Sequence, residues 1–416
     1  MRMKIPRFRP YVSFTLLKGA IKTLLFEGPC LDRFEAEFAR YLGRKHAIAV
    51  PSGRMALSIA LSALEIGKND EIILPAFTVP EVLMILGCAG VIPRFADIDP
   101  ATYNLSPSSV EHCLNHKVRA ILMTHLFGKP CDVEGLVSIA DRHGIELIED
   151  AAQAMGAEYK GKKVGTFGRI SYFSFGLVKN LNTLGGGMLV TDDDRIEKKV
   201  RSILSDFPLP PKSTLLNRAA LCLGLNMATQ PQVFTFLVYP LLYLLDATGQ
   251  SSVIDDTFDE KEFALPEIPS SYKKRLTPFQ ACLGLEQLKR LDRLNEKRRE
   301  NALFLLSLLG GTDGLRTPLN QGHVYDIYLN FMVCCDSRED VLRKLFRKGI
   351  DTTKGYLKDC SGLSLFGQPV SFCPEAHALS NRGFYLPVSP FMKRRQIERI
   401  AGAVHEIFRE RGKGGA

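Results

Sequence analysis

A chain of 416 residues with 45% hydrophobic residues is too long for a stapled mini-domain and can bury a sizeable core. Its ten cysteines include no C-x-x-C pair, and no early apolar run ends in a small-residue cleavage site. A disulfide framework, a cysteine metal centre and a secretory leader are therefore not expected; a cytoplasmic chain with mostly buried, free thiols and no metal site is.

The net charge of +9 is uneven, because Arg2, Lys4, Arg7, Arg9, Lys18 and Lys22 all precede Glu27, the first acidic residue. Residues 1–27 thus form a basic arm. Either it is simply solvated, or it attracts anionic lipid or a phosphorylated substrate. No zinc-finger, helix-turn-helix or RNA-binding signature accompanies it, so nucleic acid is not an expected partner.

From Phe34 to Leu204, amphipathic helical stretches alternate with short apolar strands at Ala47–Val50, Glu71–Leu74, Val91–Phe95, Ala120–Thr124 and Glu146–Glu149. That alternation predicts a large α/β lobe over 28–204, doubly wound around a mostly parallel sheet. Ligands gather at the carboxyl ends of such strands. The residues that follow them here, Pro51-Ser52-Gly53, Pro75 to Thr78, His125 and Asp150, are small, polar or ionisable.

Residues 205–268 break the pattern, because 219–245 carry no charge at all. Pro231 and Pro240 are expected to divide this stretch into two short helices, and its apolar run, Val233–Leu245, is shorter than the ~20 residues of a membrane span. Two readings stay open: a buried hairpin or subunit contact, and an interfacial contact on the inner face of the membrane, with Phe234, Phe236, Leu237 and Leu241 toward lipid. An acidic linker, Asp255–Glu262, follows. Thr277–Leu308 reads as one long connecting helix within 269–308. Val324–Val333 reads as a strand, and Arg338–Lys348 and Arg394–Arg409 as helices, so 309–416 is expected to form a small α+β lobe.

The sharpest chemical signal is Ser174-Phe175-Gly176-Leu177-Val178-Lys179-Asn180, followed by Gly185-Gly186-Gly187. A serine hydroxyl can bond a phosphate, a lysine amine can form a Schiff base with an aldehyde, and glycines allow close backbone approach. Asp150, closing an apolar strand, can pair with a protonated pyridine nitrogen or merely cap the next helix. Ser52-Gly53-Arg54 leads into a helix, whose first N–H groups bind phosphate.

In this order, with Gly28-Pro29, Pro75-Ala76-Phe77-Thr78, His125-Leu126-Phe127-Gly128 and Glu149 to Ala154, these segments resemble the DegT/DnrJ/EryC1/StrS sugar aminotransferases. That group has the fold-type I architecture and depends on pyridoxal 5'-phosphate. The resemblance implies that Lys179 holds the cofactor and shuttles the proton, while Asp150 pairs with the ring nitrogen. It further implies that Gln153 contacts the phenolic oxygen, and that Ser174 with the amides of Gly53, Arg54 and Met55 holds the phosphate. The implied reaction moves an amino group from an amino-acid donor, glutamate, to a keto sugar carried on a nucleotide, in sugar or polysaccharide biosynthesis, within a homodimer whose subunits share active sites. Arg54 stands where the family usually has threonine, and Val79 where it often has an aromatic. Lys273 replaces an asparagine offered to the partner's phosphate, and a cation can serve there. The small-lobe histidine-tyrosine stretch is reduced to Gly355-Tyr356-Leu357. Two alternatives remain: the same chemistry on a membrane-bound or lipid-linked acceptor, and a non-catalytic cofactor-binding regulator or scaffold. A sugar dehydratase would carry histidine in place of Lys179.

Overall fold

The computed structural model describes residues 3–10, 12, 16–17, 30–247, 267–363 and 372–413. Gly28-Pro29, the acidic linker 255–262 and most of the basic arm lie outside the described residues. Seven strands build the main sheet: β1 (His46–Val50), β2 (Glu71–Pro75), β3 (Ile92–Ala96), β4 (Val118–Thr124), β5 (Glu146–Asp150), β6 (Ile170–Ser174) and β7 (Gly187–Thr191). Their order is β1-β7-β6-β5-β4-β2-β3. Strands β6, β5, β4, β2 and β3 run parallel, whereas β7 is reversed and pairs antiparallel with both β1 and β6.

The sheet is buried on both faces. Along β2, Ile72 and Leu74 join a core with α2 (Gly53–Ala63) and α3 (Pro80–Ala89), while Ile73 joins the opposite core. Burial on both sides removes the need for polar alternation, which is why these strands read as unbroken apolar runs. On the second face, α1 (Cys30–Leu42) buries Phe34 and Phe38 against Phe173 and Phe175. A smaller antiparallel sheet, β8 (Leu315–Arg316), β9 (Phe331–Cys335) and β10 (Gly383–Leu386), lies in the order β8-β9-β10.

Four expectations need correction. The insertion contains α4 (Lys212–Ala228), then a turn of helix at Pro231–Val233, a π-helical turn at Phe234–Val238 and α5 (Tyr239–Ala247). Pro231 opens the second helix as expected, but Pro240 does not break it. The Tyr239 N–H donates five residues back, to the Phe234 carbonyl, and this wider turn accommodates the proline ring and its missing donor. Phe234 points inward, 3% exposed, and not toward the outside with Phe236 and Leu237.

The expected single helix over Thr277–Leu308 is two: α6 (Pro278–Leu288), which Thr277 and Gln280 start with a capping box, and α7 (Leu291–Leu309). They follow different partners. In α6, Gly284 lies so close to α1 that a Cβ there would come within 2.4 Å of the Phe34 ring. In contrast, α7 packs with α8 (Arg338–Arg347) and α9 (Arg394–Lys413) behind the small sheet.

The expected strand over Val324–Val333 is interrupted. Val324–Tyr325 pairs with Glu158–Tyr159, Tyr328 turns at φ 46°, and β9 starts at Phe331. The Asp326 carboxylate stabilises the turn by accepting from the Tyr328 N–H at 2.6 Å. Finally, eight cysteines are free and six of them buried, but Cys30 and Cys282 form a disulfide between α1 and α6. Helix packing brings them together across 252 positions, a separation that no spacing pattern flags.

Candidate active site

The carboxyl ends of the parallel strands bring the polar residues together. Ser52 follows β1 in extended conformation and caps α2, its hydroxyl accepting from the Met55 N–H at 3.2 Å. That cap directs the start of α2 at the end of β6, where a Cβ on Gly53 would lie 3.0 Å from the Ser174 Cβ. Gly187 meets the same turn: a Cβ there would come within 2.5 Å of the Phe173 carbonyl oxygen. Glycine is thus required by the protein's own backbone crossing.

Around this point is a cavity of about 360 Å³, lined by Gly53, Arg54, Asp150, Ser174, Lys179 and Tyr356, with Val79, Glu81 and Tyr172 in its walls. Lys179, on the loop after β6, is buried and donates to the Tyr356 hydroxyl at 3.2 Å. Asp150 closes β5 and accepts from the Ala152 N–H at 2.9 Å. Burial raises its carboxyl above the ordinary aspartate range, against the hydrogen bonds from Ala152 and Tyr172 and the charge of Lys179. Burial also holds the Tyr172 hydroxyl protonated, so it remains a donor to Asp150.

Behind Asp150 lies a second buried carboxylate. Glu149 accepts from His125 Nε2 at 3.0 Å, from the N–H groups of Phe167 and Gly168 at 2.8 and 2.9 Å, and from Ser171 Oγ at 2.9 Å. Burial alone would raise its carboxyl; His125 and the backbone donors hold it below the usual range. His125 Nδ1 accepts from the Cys131 N–H at 3.1 Å, which leaves the ring proton on Nε2, toward Glu149. This network anchors the end of β5 and hence the direction of Asp150.

Of the residues singled out from sequence, Lys179, Asp150, Ser174, Gly53 and Arg54 line the cavity. The other three stand apart. Met55 is buried, and its N–H is already bonded to Ser52. The Gln153 amide oxygen accepts from the Phe127 N–H at 3.1 Å, and Gln153 is not in the cavity lining. Lys273 ends the short turn Ser270–Tyr272 and does not line the cavity either.

Sequence reasoning missed Tyr172, Glu81 and the partnership of Lys179 with Tyr356. The Arg54 guanidinium lies 4.5 Å over the Tyr272 ring and 4.0 Å from Glu81, whose other carboxylate oxygen is buried without a partner among the described residues. Such an oxygen needs a donor from a ligand, a water or a second chain. A pyridoxal phosphate fits these residues on structural grounds: a small Gly53–Ser174 cradle at a helix start for the phosphate, a desolvated carboxylate for the ring nitrogen, and a buried primary amine for the aldehyde.

The model of the DegT/DnrJ/EryC1/StrS aminotransferase family matches residues 16–405. Among curated proteins, a pleiotropic regulatory protein of Geobacillus stearothermophilus is 30% identical, covering 98% of this chain and 99% of its own length. UDP-N-acetyl-3-dehydro-alpha-D-glucosamine 3-aminotransferase of Acidithiobacillus ferrooxidans is 31% identical over 90% of this chain and 87% of its own. Among solved structures, DesV of S. venezuelae superimposes with a TM-score of 0.76 at 27% identity, covering 98% of this chain and 99% of that one.

Proposed function

Because the chain belongs to the DegT/DnrJ/EryC1/StrS aminotransferase family, we propose that its cavity performs amino transfer from an amino-acid donor, glutamate, to a nucleotide-linked keto sugar. The protein is a pyridoxal-phosphate-dependent sugar aminotransferase. Bound there, the cofactor supplies an aldehyde carbon that takes up the amino group and a protonated ring that withdraws electrons. The observation that carries the residue assignment is the convergence of Lys179, Asp150, Ser174 and Gly53 on one cavity.

In this reading Lys179 Nζ would hold the cofactor's aldehyde carbon and would move the proton at the donor's Cα. Tyr356 holds that nitrogen in place through the 3.2 Å hydrogen bond. Asp150 pairs with the ring nitrogen, and Tyr172 orients its carboxylate. Ser174 Oγ and the first N–H groups of α2 hold the phosphate. Gln153 is assigned to the phenolic oxygen by family likeness, and Met55 to the phosphate cradle in the same way. The cofactor-holding lobe is taken as 28–204 and the small lobe as 309–416.

The active unit is proposed to be a homodimer in which each subunit completes the other's site. Lys273, which does not line the cavity of its own chain, is then the candidate for the partner's phosphate. Incubating purified protein with glutamate and a panel of nucleotide-linked keto sugars, and following amine formation by mass spectrometry, tests the reading. No amine from any member would count against it.

A second reading keeps the chemistry and moves the acceptor to a lipid carrier. The apolar residues exposed along the insertion favour it. An activity that rises sharply on adding lipid or detergent would distinguish it from the first.

A further inference from the structure

The described residues of the basic arm lie against the described part of the insertion. Of thirteen exposed large apolar side chains among the described residues, nine lie between Leu209 and Leu244. This concentration is not a by-product of disorder in packing, because the same segment is anchored on its other side. Phe234 and Tyr239 are buried, the Tyr239 hydroxyl donates to the Phe346 carbonyl at 2.6 Å, and the two rings lie 5.0 Å apart. The opposite stripe of the segment turns outward: Leu237, Leu241 and Leu244, spaced four and three residues apart, are 70%, 60% and 63% exposed. On α4, Leu216 and Leu221 are also exposed, at 54% and 59%.

Cations of the described part of the arm lie beside the same segment: the Lys4 N–H donates to Thr235 Oγ1 at 2.8 Å and Lys4 Nζ lies 4.6 Å over the Tyr239 ring, both on its anchored side, while Asn226 Nδ2 donates to the Val12 carbonyl at 2.9 Å. Between arm, α4 and α7 is a cavity of about 690 Å³ whose lining includes Arg9, Arg290 and Arg293 but no carboxylate, with an apolar floor from Leu223 and Met227 of the insertion. Three guanidiniums beside an apolar floor match a phosphate joined to an acyl chain.

We infer that this face docks on the surface of a bilayer containing anionic phospholipid, Leu237, Leu241 and Leu244 entering the interface and the arginine-lined cavity taking a headgroup phosphate. No helix among the described residues is long and apolar enough to cross a membrane, so the contact is interfacial. Charge decides between lipid and a second copy of the chain. In a twofold contact through this face both copies would bring the same arginine-lined cavity, whose lining has no carboxylate, to the seam, whereas an anionic leaflet complements it. Docking stands independently of the amino-transfer reading.

Flotation of the cofactor-loaded protein tests it, with phosphatidylcholine vesicles prepared with and without phosphatidylglycerol, at low and high salt. The wild type should float with the anionic vesicles at low salt and lose most of that binding at high salt or without phosphatidylglycerol. Leu237→Ser/Leu241→Ser/Leu244→Ser should weaken binding by about a hundredfold or more, since each fully buried leucine is worth roughly tenfold or more. Arg290→Glu/Arg293→Glu should remove the preference for anionic vesicles. Retained cofactor absorbance and an unchanged melting temperature show that each variant is folded. A wild type that stays with the pellet, or a triple variant that floats as well as the wild type, overturns the inference. So does a triple variant that merely changes from dimer to monomer in sedimentation while the wild type ignores lipid, and none of these outcomes touches the amino-transfer assay.

Discussion

Lys179 Nζ donates to the Tyr356 hydroxyl at 3.2 Å, although the two residues are 177 positions apart. One belongs to the loop after β6 and the other to the segment between β9 and β10 of the small sheet, so the contact joins the main sheet to the small one at this nitrogen. In the proposed mechanism a hydroxyl there orients the lysine nitrogen, and Lys179 moves the proton. Tyr356→Phe should therefore retain the cofactor and lower kcat by about tenfold, less than the ~10²–10⁴ typical of the group that moves the proton. Equal kcat in the two proteins, measured at saturating donor, would remove Tyr356 from the mechanism.

The proposed pairing of Asp150 with the ring nitrogen would connect cofactor binding to pH. Its raised carboxyl pKa means that the cofactor-free folded state binds more protons than the unfolded chain between the ordinary value of 3.8 and the raised one. The stability this group contributes is present below that window and is lost as pH rises through it. Cofactor affinity should show the opposite trend, because only the ionised carboxylate pairs with a protonated ring nitrogen. Titrations of apoenzyme at a series of pH values should thus show affinity falling as pH drops through the raised pKa. In Asp150→Asn that dependence should vanish, with turnover reduced by several orders of magnitude, each tenfold being ~1.4 kcal/mol.

At the proposed phosphate cradle, Gly53→Ala introduces a Cβ 3.0 Å from the Ser174 Cβ and 3.4 Å from its hydroxyl. The serine must shift, and the cofactor's phosphate loses part of its cradle. Cofactor Kd should rise about tenfold, ~1.4 kcal/mol, while the melting temperature of the apoenzyme changes little. An unchanged Kd by spectroscopic titration would place the phosphate elsewhere.

Glu149 is a structural counterpart to Asp150. Its carboxylate has only acceptors to offer to His125, Ser171 and the loop amides of Phe167 and Gly168. Glu149→Gln turns an NH2 group against those donors and leaves buried partners unsatisfied, at a cost of about 3–5 kcal/mol. Urea unfolding should report that loss, together with weaker cofactor binding as the end of β5 loosens.

How much of this was legible depended on whether a feature is local. The parallel strands announced themselves because burial on both faces makes runs such as Ile72-Ile73-Leu74 uniformly apolar. Ser174, Lys179 and Asp150 were legible because their chemistry is attached to strand ends. Strands β6 and β7 carried no such announcement, since Ser171, Tyr172 and Ser174 interrupt the first and Gly187 opens the second, yet β6 places Tyr172 beside Asp150. Tyr356 and Glu81 reach the cavity only through tertiary packing, which no spacing encodes. Pro240 misled for a different reason: proline stops an α-helix through its missing N–H, but a π-helical turn had already displaced the donor pattern by one residue.

The central claim is that Lys179 is the attachment point of the cofactor. Borohydride reduction of the purified enzyme, followed by proteolysis and mass spectrometry, should place a phosphopyridoxyl adduct on the peptide containing Lys179. In Lys179→Ala that adduct and the protein's yellow colour should both be lost. An adduct on any other lysine, or a Lys179→Ala protein that still fixes the cofactor covalently and turns over, would contradict the account.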